Sequence, residues 1–364
     1  MSEPRSVGLV HDYLLVKRGA ERTFCEIAAC WPGAPVYTLL YDRDAFGTDL
    51  AGRGVTVSGL RRLHVGQAGF RRLLPLFPSA VERLPVARHD LVVSSSSAFA
   101  HGVHPGPAAV HVCYCHSPFR YAWFERDRAL DEAPKAMRGA LALTLAAIRR
   151  WDRRASERVT HYVANSELTR RRINDAYGRD ATVVHPPVGV ERFTIREPED
   201  FFVVVAELVR HKRVDIALAA AERAGQHVKV LGAGPELEQL RERFAGTAEF
   251  LGRASDAEVA DLLPRALALL VPNVEEFGVA AVEAQAAGRP VLAADAGGPQ
   301  ETVLPGETGV LVPPGDVDAM AEVLRYTDFS RFEPERIAGH AARFSKDRFR
   351  SELQAAVERA YASR

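Results

Sequence analysis

Leu267-Ala268-Leu269-Leu270-Val271-Pro272-Asn273-Val274-Glu275-Glu276-Phe277-Gly278-Val279-Ala280-Ala281-Val282-Glu283 contains an apolar run, a polar turn and the opening of a helical pattern. Five apolar residues closed by Pro272 read as a strand buried on both faces, and a turn into a helix is how a βαβ unit continues. The alternation extends in both directions. Strands are expected at 201–205, 228–231, 249–251, 267–271 and 291–293, with helices near 215–223, 235–244, 256–263 and 279–287. The N-terminal half repeats the pattern, with strands at 7–10, 36–39, 91–93, 109–115, 162–164 and 182–184 and helices near 21–30, 136–158 and 167–177. Between the halves, His185-Pro186-Pro187 and the charged Arg196-Glu197-Pro198-Glu199-Asp200 read as a linker. The expected architecture is α/β, with one doubly wound domain over 1–188 and a second over 199–342. Open parallel sheets place ligands outside their strand carboxyl ends, so the site is expected between the two domains.

Length and composition fit that scale. A chain of 364 residues, 47% hydrophobic and 26% charged, is too long for a small binding module and too apolar for a disordered one. Lys plus Arg equals Asp plus Glu at 47 each, so no overall field draws the chain to nucleic acid, and any phosphate must be met by a local cluster. The four cysteines, Cys25, Cys30, Cys113 and Cys115, lack zinc-site spacing and suit a reducing cytoplasm. Met1-Ser2-Glu3-Pro4-Arg5-Ser6 leads into a strand without a signal-like core, and the longest helical apolar stretch, Gly139 to Ile148, is half the ~20 residues needed to cross a bilayer.

Six groups of residues are candidates for chemistry. Glu275 and Glu283 are eight positions apart, about 12 Å along a helix, which exceeds the roughly 5–9.5 Å between paired glycosidase carboxylates. They fit the two ends of one extended ligand whose middle rests on the N–H groups of Phe277, Gly278, Val279 and Ala280; two solvated helix carboxylates would have the same spacing. Gly232-Ala233-Gly234-Pro235 follows a strand and admits close approach of a ligand, or is an ordinary tight turn. Gly297-Gly298 follows the strand at 291–293 and belongs to the same rim. Arg210, His211, Lys212 and Arg213 cluster past the first strand of the second half, as a diphosphate clamp or a solvated basic turn. In the first half, Arg18-Gly19-Ala20 precedes a helix, and His116 ends a buried strand, suited to a substrate hydroxyl or to a structural hydrogen bond. His101, His104 and His111 have no ligand spacing, and no metal site is expected.

In combination these motifs resemble glycosyltransferase family 4. Lys212, Gly232-Ala233-Gly234-Pro235, Phe250-Leu251-Gly252-Arg253, the E-x7-E pair Glu275 and Glu283, and Gly297-Gly298-Pro299-Gln300-Glu301-Thr302 carry the resemblance in the second half. In the first half His11-Asp12-Tyr13, Arg18-Gly19-Ala20-Glu21, Cys113 to Trp123, Asn165-Ser166 and His185-Pro186-Pro187-Val188 are similar to its bacterial mannosyltransferase-like branch. The resemblance implies a GT-B fold, two Rossmann-like domains facing across a cleft, with a helix in 343–364 returning to the first. It implies a retaining, metal-independent hexosyltransferase that needs no cofactor and takes a nucleotide-diphosphate sugar, GDP-mannose-like or a UDP-sugar, as co-substrate. His116 and Glu275 would be catalytic. Gly19, Ala20, Glu207, Arg210, Lys212, Gly232, Gly234, Arg253, Phe277, Gly278, Val279 and Glu283 would bind the donor, with Glu275 on its sugar, Glu283 on its ribose, Lys212 on its diphosphate and Arg253 by its nucleobase. Asp12, Arg120, Tyr121 and Trp123 would lie on the acceptor side.

Two positions depart from the family pattern. Glu207 stands where an Arg is expected beside the diphosphate, a repulsive exchange in a poorly screened cleft; either Arg210 replaces that Arg, or Glu207 serves an unusual donor, or donor binding is impaired. Ala20 stands where the branch has a second glycine. Beside a glycosyltransferase acting on a saccharide, lipid-linked or small-molecule hydroxyl, two alternatives follow: a degenerate sugar-nucleotide-binding protein without turnover, and a GT-B enzyme using a cyclitol-type donor. The stretch from Leu60-Arg61-Arg62-Leu63 to Phe70-Arg71-Arg72-Leu73-Leu74 mixes cations and apolar residues, as a peripheral membrane contact or as an ordinary helix packing inward.

Overall fold

The computed structural model describes residues 6–63 and 69–363. The chain forms two compact units, Met1–His185 with Phe349–Arg364, and Pro186–Arg348. In the first, strands β1 (Val7–Leu14), β2 (Val36–Tyr41), β3 (Val55–Val57), β4 (Leu91–Ser96), β5 (Val110–Cys115), β6 (His161–Ala164) and β7 (Ala181–Val183) form one sheet in the order β3-β2-β1-β4-β5-β6-β7. In the second, β8 (Phe202–Val205), β9 (Val228–Leu231), β10 (Ala248–Gly252), β11 (Leu269–Val271), β12 (Val291–Ala294) and β13 (Gly309–Val312) run in the order β10-β9-β8-β11-β12-β13. Every pairing in both sheets is parallel. The strand order reverses between β1 and β4 and again between β8 and β11, and crevices for ligands open at such reversals.

Burial explains why these segments are strands. All six residues of β4 are buried, as are all four of β12, because helices cover both faces. On one face of the first sheet Leu9, Val93, Tyr114 and Val163 form a core with Phe24 and Ile27; on the other, Val10, Val92, Leu39 and Phe99 form a second. The helices begin where side chains can satisfy their free N–H groups. Ser166 Oγ accepts from Thr169 N ahead of helix Glu167–Tyr177, which ends at the left-handed Gly178, and Ser255 and Glu258 form a capping box ahead of Asp256–Leu262. The last helix, Lys346–Ala362, buries Phe349, Leu353 and Val357 in the core of the first unit, each worth about 2 kcal/mol of gross burial.

The stretch expected as a linker is packed. Val188 and Phe193 are buried in the second core and Val188 N donates to Phe344 O, so the second unit begins at Pro186. Strands β3 and β13 escape the sequence reading. The first has three residues, and the second starts with Gly309, where a Cβ would lie 2.1 Å from Val291 O. Of the basic and apolar stretch at 60–74, residues 64–68 lie outside the described residues. Among the described residues no helix is long and apolar enough to cross a membrane.

Candidate functional site

The carboxyl edge of the second sheet brings the principal candidates together. After β8 the chain turns through Glu207 to a single turn at Arg210–Lys212 and enters helix Val214–Ala224 at Arg213, whose φ of 49° is left-handed. After β11 it passes Asn273 and Glu275 and enters helix Val279–Ala286 at Gly278, φ 86°. The two turns meet: Lys212 Nζ donates to Glu275 Oε1 at 2.6 Å, and Asn273 Nδ2 donates to the same oxygen at 3.0 Å. The Lys212 and Glu275 side chains are 23% and 20% exposed. Glu283 sits on helix Val279–Ala286 and pairs with Arg192, which also reaches Asp256 at 3.2 Å. Thus each carboxylate of the E-x7-E pair is held by one cation. An ion pair of this exposure is worth on the order of 1 kcal/mol, less than the charge-assisted contacts of roughly 1.5–3 kcal/mol that a diphosphate or hydroxyls would offer in exchange. Phe277 turns inward and packs edge-on to Phe344 at 5.6 Å.

Both glycine pairs on this rim serve backbone packing. A Cβ on Gly232 would lie 1.8 Å from Ala206 O and one on Gly234 2.2 Å from Leu208 O, while Leu208 N donates to Ala233 O at 3.0 Å. A Cβ on Gly297 would lie 2.3 Å from Glu275 O and one on Gly298 2.1 Å from Phe277 O, and Gly298 N donates to Glu275 O at 2.8 Å. The space expected for a ligand at Gly232 and Gly234 is therefore filled by the Glu207 loop, and Gly297-Gly298 clasps the Glu275 loop. Glu207 and Arg210 are exposed on the loop so held. Arg253 is exposed beyond the left-handed Gly252 and lines a cleft of about 510 Å³ with Leu231, Leu251, Glu258 and Leu262.

In the first unit, Asp12 is not presented to an acceptor. It is 2% exposed, and its two oxygens accept from Ser97 N, Ala98 N, Phe99 N and Ala100 N at 2.6, 3.0, 2.7 and 2.6 Å. It fixes the turn after β4. Trp123 Nε1 likewise turns inward, donating at 2.7 Å to the buried Asp152, which also receives Tyr177 Oη at 2.8 Å and has His101 Nε2 at 3.2 Å. Tyr121 packs edge-on to Phe119 at 5.7 Å, and Arg120, half-buried, opens the same short helix Arg120–Trp123. Gly19 and Ala20 begin helix Gly19–Cys30, and a Cβ on Gly19 would meet nothing within 4 Å, so that position is uncrowded. Glu21 Oε2 accepts from Arg18 N at 3.0 Å, and burial raises the Glu21 carboxyl to about 7. His116 Nε2 is 2.9 Å from Ser95 Oγ, and its ring meets Tyr114 edge-on at 5.2 Å.

Burial pushes the Cys25 and Cys30 thiols up to about 11 and those of Cys113 and Cys115 higher still, so none is a ready nucleophile. Among the described residues, no group of three or more His, Cys, Asp or Glu is placed to hold a metal ion. Sequence reasoning missed Arg192 and Asn273, the partners of Glu283 and Glu275. Arg192 lies in the stretch read as a linker, and only its position two residues past Val190, in a run with buried Val188 and Phe193, marks it as part of a folded unit.

Residues 17–192 match the model of Glycosyltransferase Family 4, and residues 190–327 match that of glycosyl transferases group 1. A GDP-mannose-dependent monoacylated alpha-(1-6)-phosphatidylinositol monomannoside mannosyltransferase of Corynebacterium glutamicum is 31% identical over 192 residues, 44% of this chain and 50% of that protein. The chain spans about half the length of the curated relatives it matches. Sucrose-phosphate synthase of Thermosynechococcus elongatus superposes with a TM-score of 0.73 at 17% identity, over 99% of this chain and 100% of that one. Anabaena HepE, solved with UDP and glucose, superposes with a TM-score of 0.71 at 18% identity, over 97% and 100%. At those identities the structural likeness speaks for the fold. With a GT-B fold of two Rossmann-like units and the two family matches running nearly end to end, the chain belongs to the glycosyltransferases of family 4 and group 1.

Proposed function

We propose that this chain transfers a hexose-type sugar from a nucleotide-diphosphate donor to a hydroxyl of a saccharide, lipid-linked or small-molecule acceptor, with retention at the anomeric carbon. The observation that carries the reading is the meeting of Lys212 with Glu275 at the strand-order reversal of the second sheet, beside the opening of helix Val279–Ala286. A donor entering there exchanges these internal partners for its own groups. Lys212 takes the diphosphate together with the N–H groups of Gly278 and Val279, Glu275 takes sugar hydroxyls, Glu283 takes the ribose, and the cleft beside Arg253 takes the base. As the glycosidic bond breaks, the leaving diphosphate gains charge, and fixed donors already aimed at it lower the barrier. In the first unit, His116 is the side chain assigned to the substrate.

The relatives support a GDP-mannose donor through the name of the Corynebacterium enzyme, and a UDP-sugar through the UDP and glucose bound to HepE. Thermal unfolding with GDP-mannose, UDP-glucose, GMP and UMP tests the reading, because a ligand that binds the folded state at 100 times its Kd stabilises by about 2.7 kcal/mol. One nucleotide sugar should raise the Tm more than its monophosphate does, and the rise should vanish in Lys212→Ala. No rise with either sugar nucleotide would sink the proposal.

A further inference from the structure

β4 ends in three serines, and each hydroxyl meets a histidine: Ser94 Oγ and His111 Nε2 at 2.8 Å, Ser95 Oγ and His116 Nε2 at 2.9 Å, Ser96 Oγ and His101 Nδ1 at 3.3 Å. Ser95 has a second histidine behind it. His11 Nδ1 lies 3.1 Å from both Ser95 O and Ser95 Oγ. Sheet register produces this row, since His11 pairs with Ser95 across β1 and β4, Ser95 pairs with Tyr114 across β4 and β5, and His116 is two residues beyond Tyr114 on the same face.

The direction of the protons follows from the acceptors. A carbonyl oxygen only accepts, so His11 Nδ1 carries a hydrogen and donates toward Ser95. Burial keeps His11 neutral by lowering its pKa to about 3. The Ser95 hydroxyl cannot donate back to a protonated Nδ1, and its own hydrogen has His116 Nε2 as acceptor. That nitrogen then carries a lone pair, and the proton of neutral His116 is on Nδ1. Were Nε2 protonated, the hydroxyl would accept from both rings and its own hydrogen, with no third partner at Ser95 Oγ among the described residues, would be left without an acceptor.

We propose that Ser95, oriented by His11, is a positioning residue that holds His116 in the neutral Nδ1–H form, so that His116 meets its substrate as a hydrogen-bond donor and not as a base. The substrate half of this statement rests on the function proposed above; the tautomer half does not.

Long-range 1H–15N spectra of the full chain labelled at histidine, with His116 assigned by its loss in His116→Gln, read the tautomer directly. The native protein should show Nδ1–H. Ser95→Ala should move His116 toward Nε2–H and lower kcat about tenfold, the size of one neutral hydrogen bond, with KM little changed. Ser95→Thr, which keeps the hydroxyl, should restore both. Should Ser95→Ala fold poorly, His11→Phe retains the stacking on Phe24, 4.7 Å between ring centroids, while removing the donor, and should shift the tautomer the same way. Nε2–H in the native protein, or a spectrum indifferent to Ser95→Ala, overturns the positioning role. Full turnover in His116→Gln with the expected spectra overturns the substrate contact alone.

Discussion

The two units share one strand order and use its reversal in opposite ways. Where β1 and β4 part, the polar groups are buried and matched to the protein itself: Asp12 takes four backbone N–H groups, and Ser94, Ser95 and Ser96 each hold a histidine. Where β8 and β11 part, the charges are paired at the surface of the rim, Lys212 with Glu275 and Arg192 with Glu283, and the loops bearing them are set by glycines that let one backbone lie against the next. A fully buried carboxylate with four donors has a large penalty for letting go of them, whereas an ion pair still about one-fifth exposed, as Lys212 and Glu275 are, has a smaller one. Equal topology thus gives one reversal held by buried hydrogen bonds and one held by ion pairs at its rim.

The most severe way to break the contrast is Asp12→Asn. An amide presents one oxygen and an NH2 to four N–H donors, leaving at least two of them facing another donor. Each buried donor so stranded costs about 1–3 kcal/mol, so the unfolding free energy should fall by about 4 kcal/mol. Trp31, Trp123 and Trp151 are the chain's three tryptophans and all lie in the first unit, so their fluorescence in urea follows this unit. A loss under about 1 kcal/mol, the least that one stranded donor costs, would remove the distinction between the reversals. Glu275→Gln should behave differently. It keeps the shape and breaks the pair with Lys212, so kcat/KM should fall about 100-fold, equal to ~2.7 kcal/mol of barrier, while the tryptophan transition stays in place. A shift of that transition with unchanged turnover would assign Glu275 to structure.

The E-x7-E spacing, Lys212 and the placement of each after a strand were legible because strand periodicity locates loop ends without any knowledge of tertiary contacts. What each loop residue does with its side chain was not. Asp12 looks like a site residue at the end of a strand, and nothing local says that four N–H groups 85 to 88 positions away converge on it. Gly232 and Gly234 announce a close approach but not its partner, which on the Cβ side is the chain at 206–208. Arg192 was hidden by its charged and proline-rich surroundings, which imitate a linker although Val188 and Phe193 anchor the segment. The row His11–Ser95–His116 needed the register of three strands, and register is fixed by packing across the sheet.

Acidification sharpens the contrast with a smaller effect per step. Burial lowers His11 and His111 to about 3 in the folded chain, with His116 and His101 respectively adding to it, against 6.5 when unfolded. Between those values the unfolded chain binds protons that the folded chain refuses, so stability falls as pH falls below 6.5, by about 1.4 kcal/mol per pH unit for each histidine. Glu21 opposes them. Its folded pKa of about 7 lies above 4.5, so from 7 down to 4.5 the folded chain takes up the extra proton and gains stability. Two protons against one leave a net loss of about 1.4 kcal/mol per unit near pH 5.5. His89 and His161, also lowered by burial, add to the same sign. These groups and Asp12, whose carboxyl burial also raises, belong to the first unit, so tryptophan-detected urea unfolding at pH 7, 6 and 5 should show the decline, and Glu21→Gln should steepen it by removing a group that resists it. A slope that Glu21→Gln leaves unchanged would mean that its carboxyl is not held protonated, and that the edge beside Gly19 and Ala20 resembles the open rim of the second unit more than the closed reversal next to it.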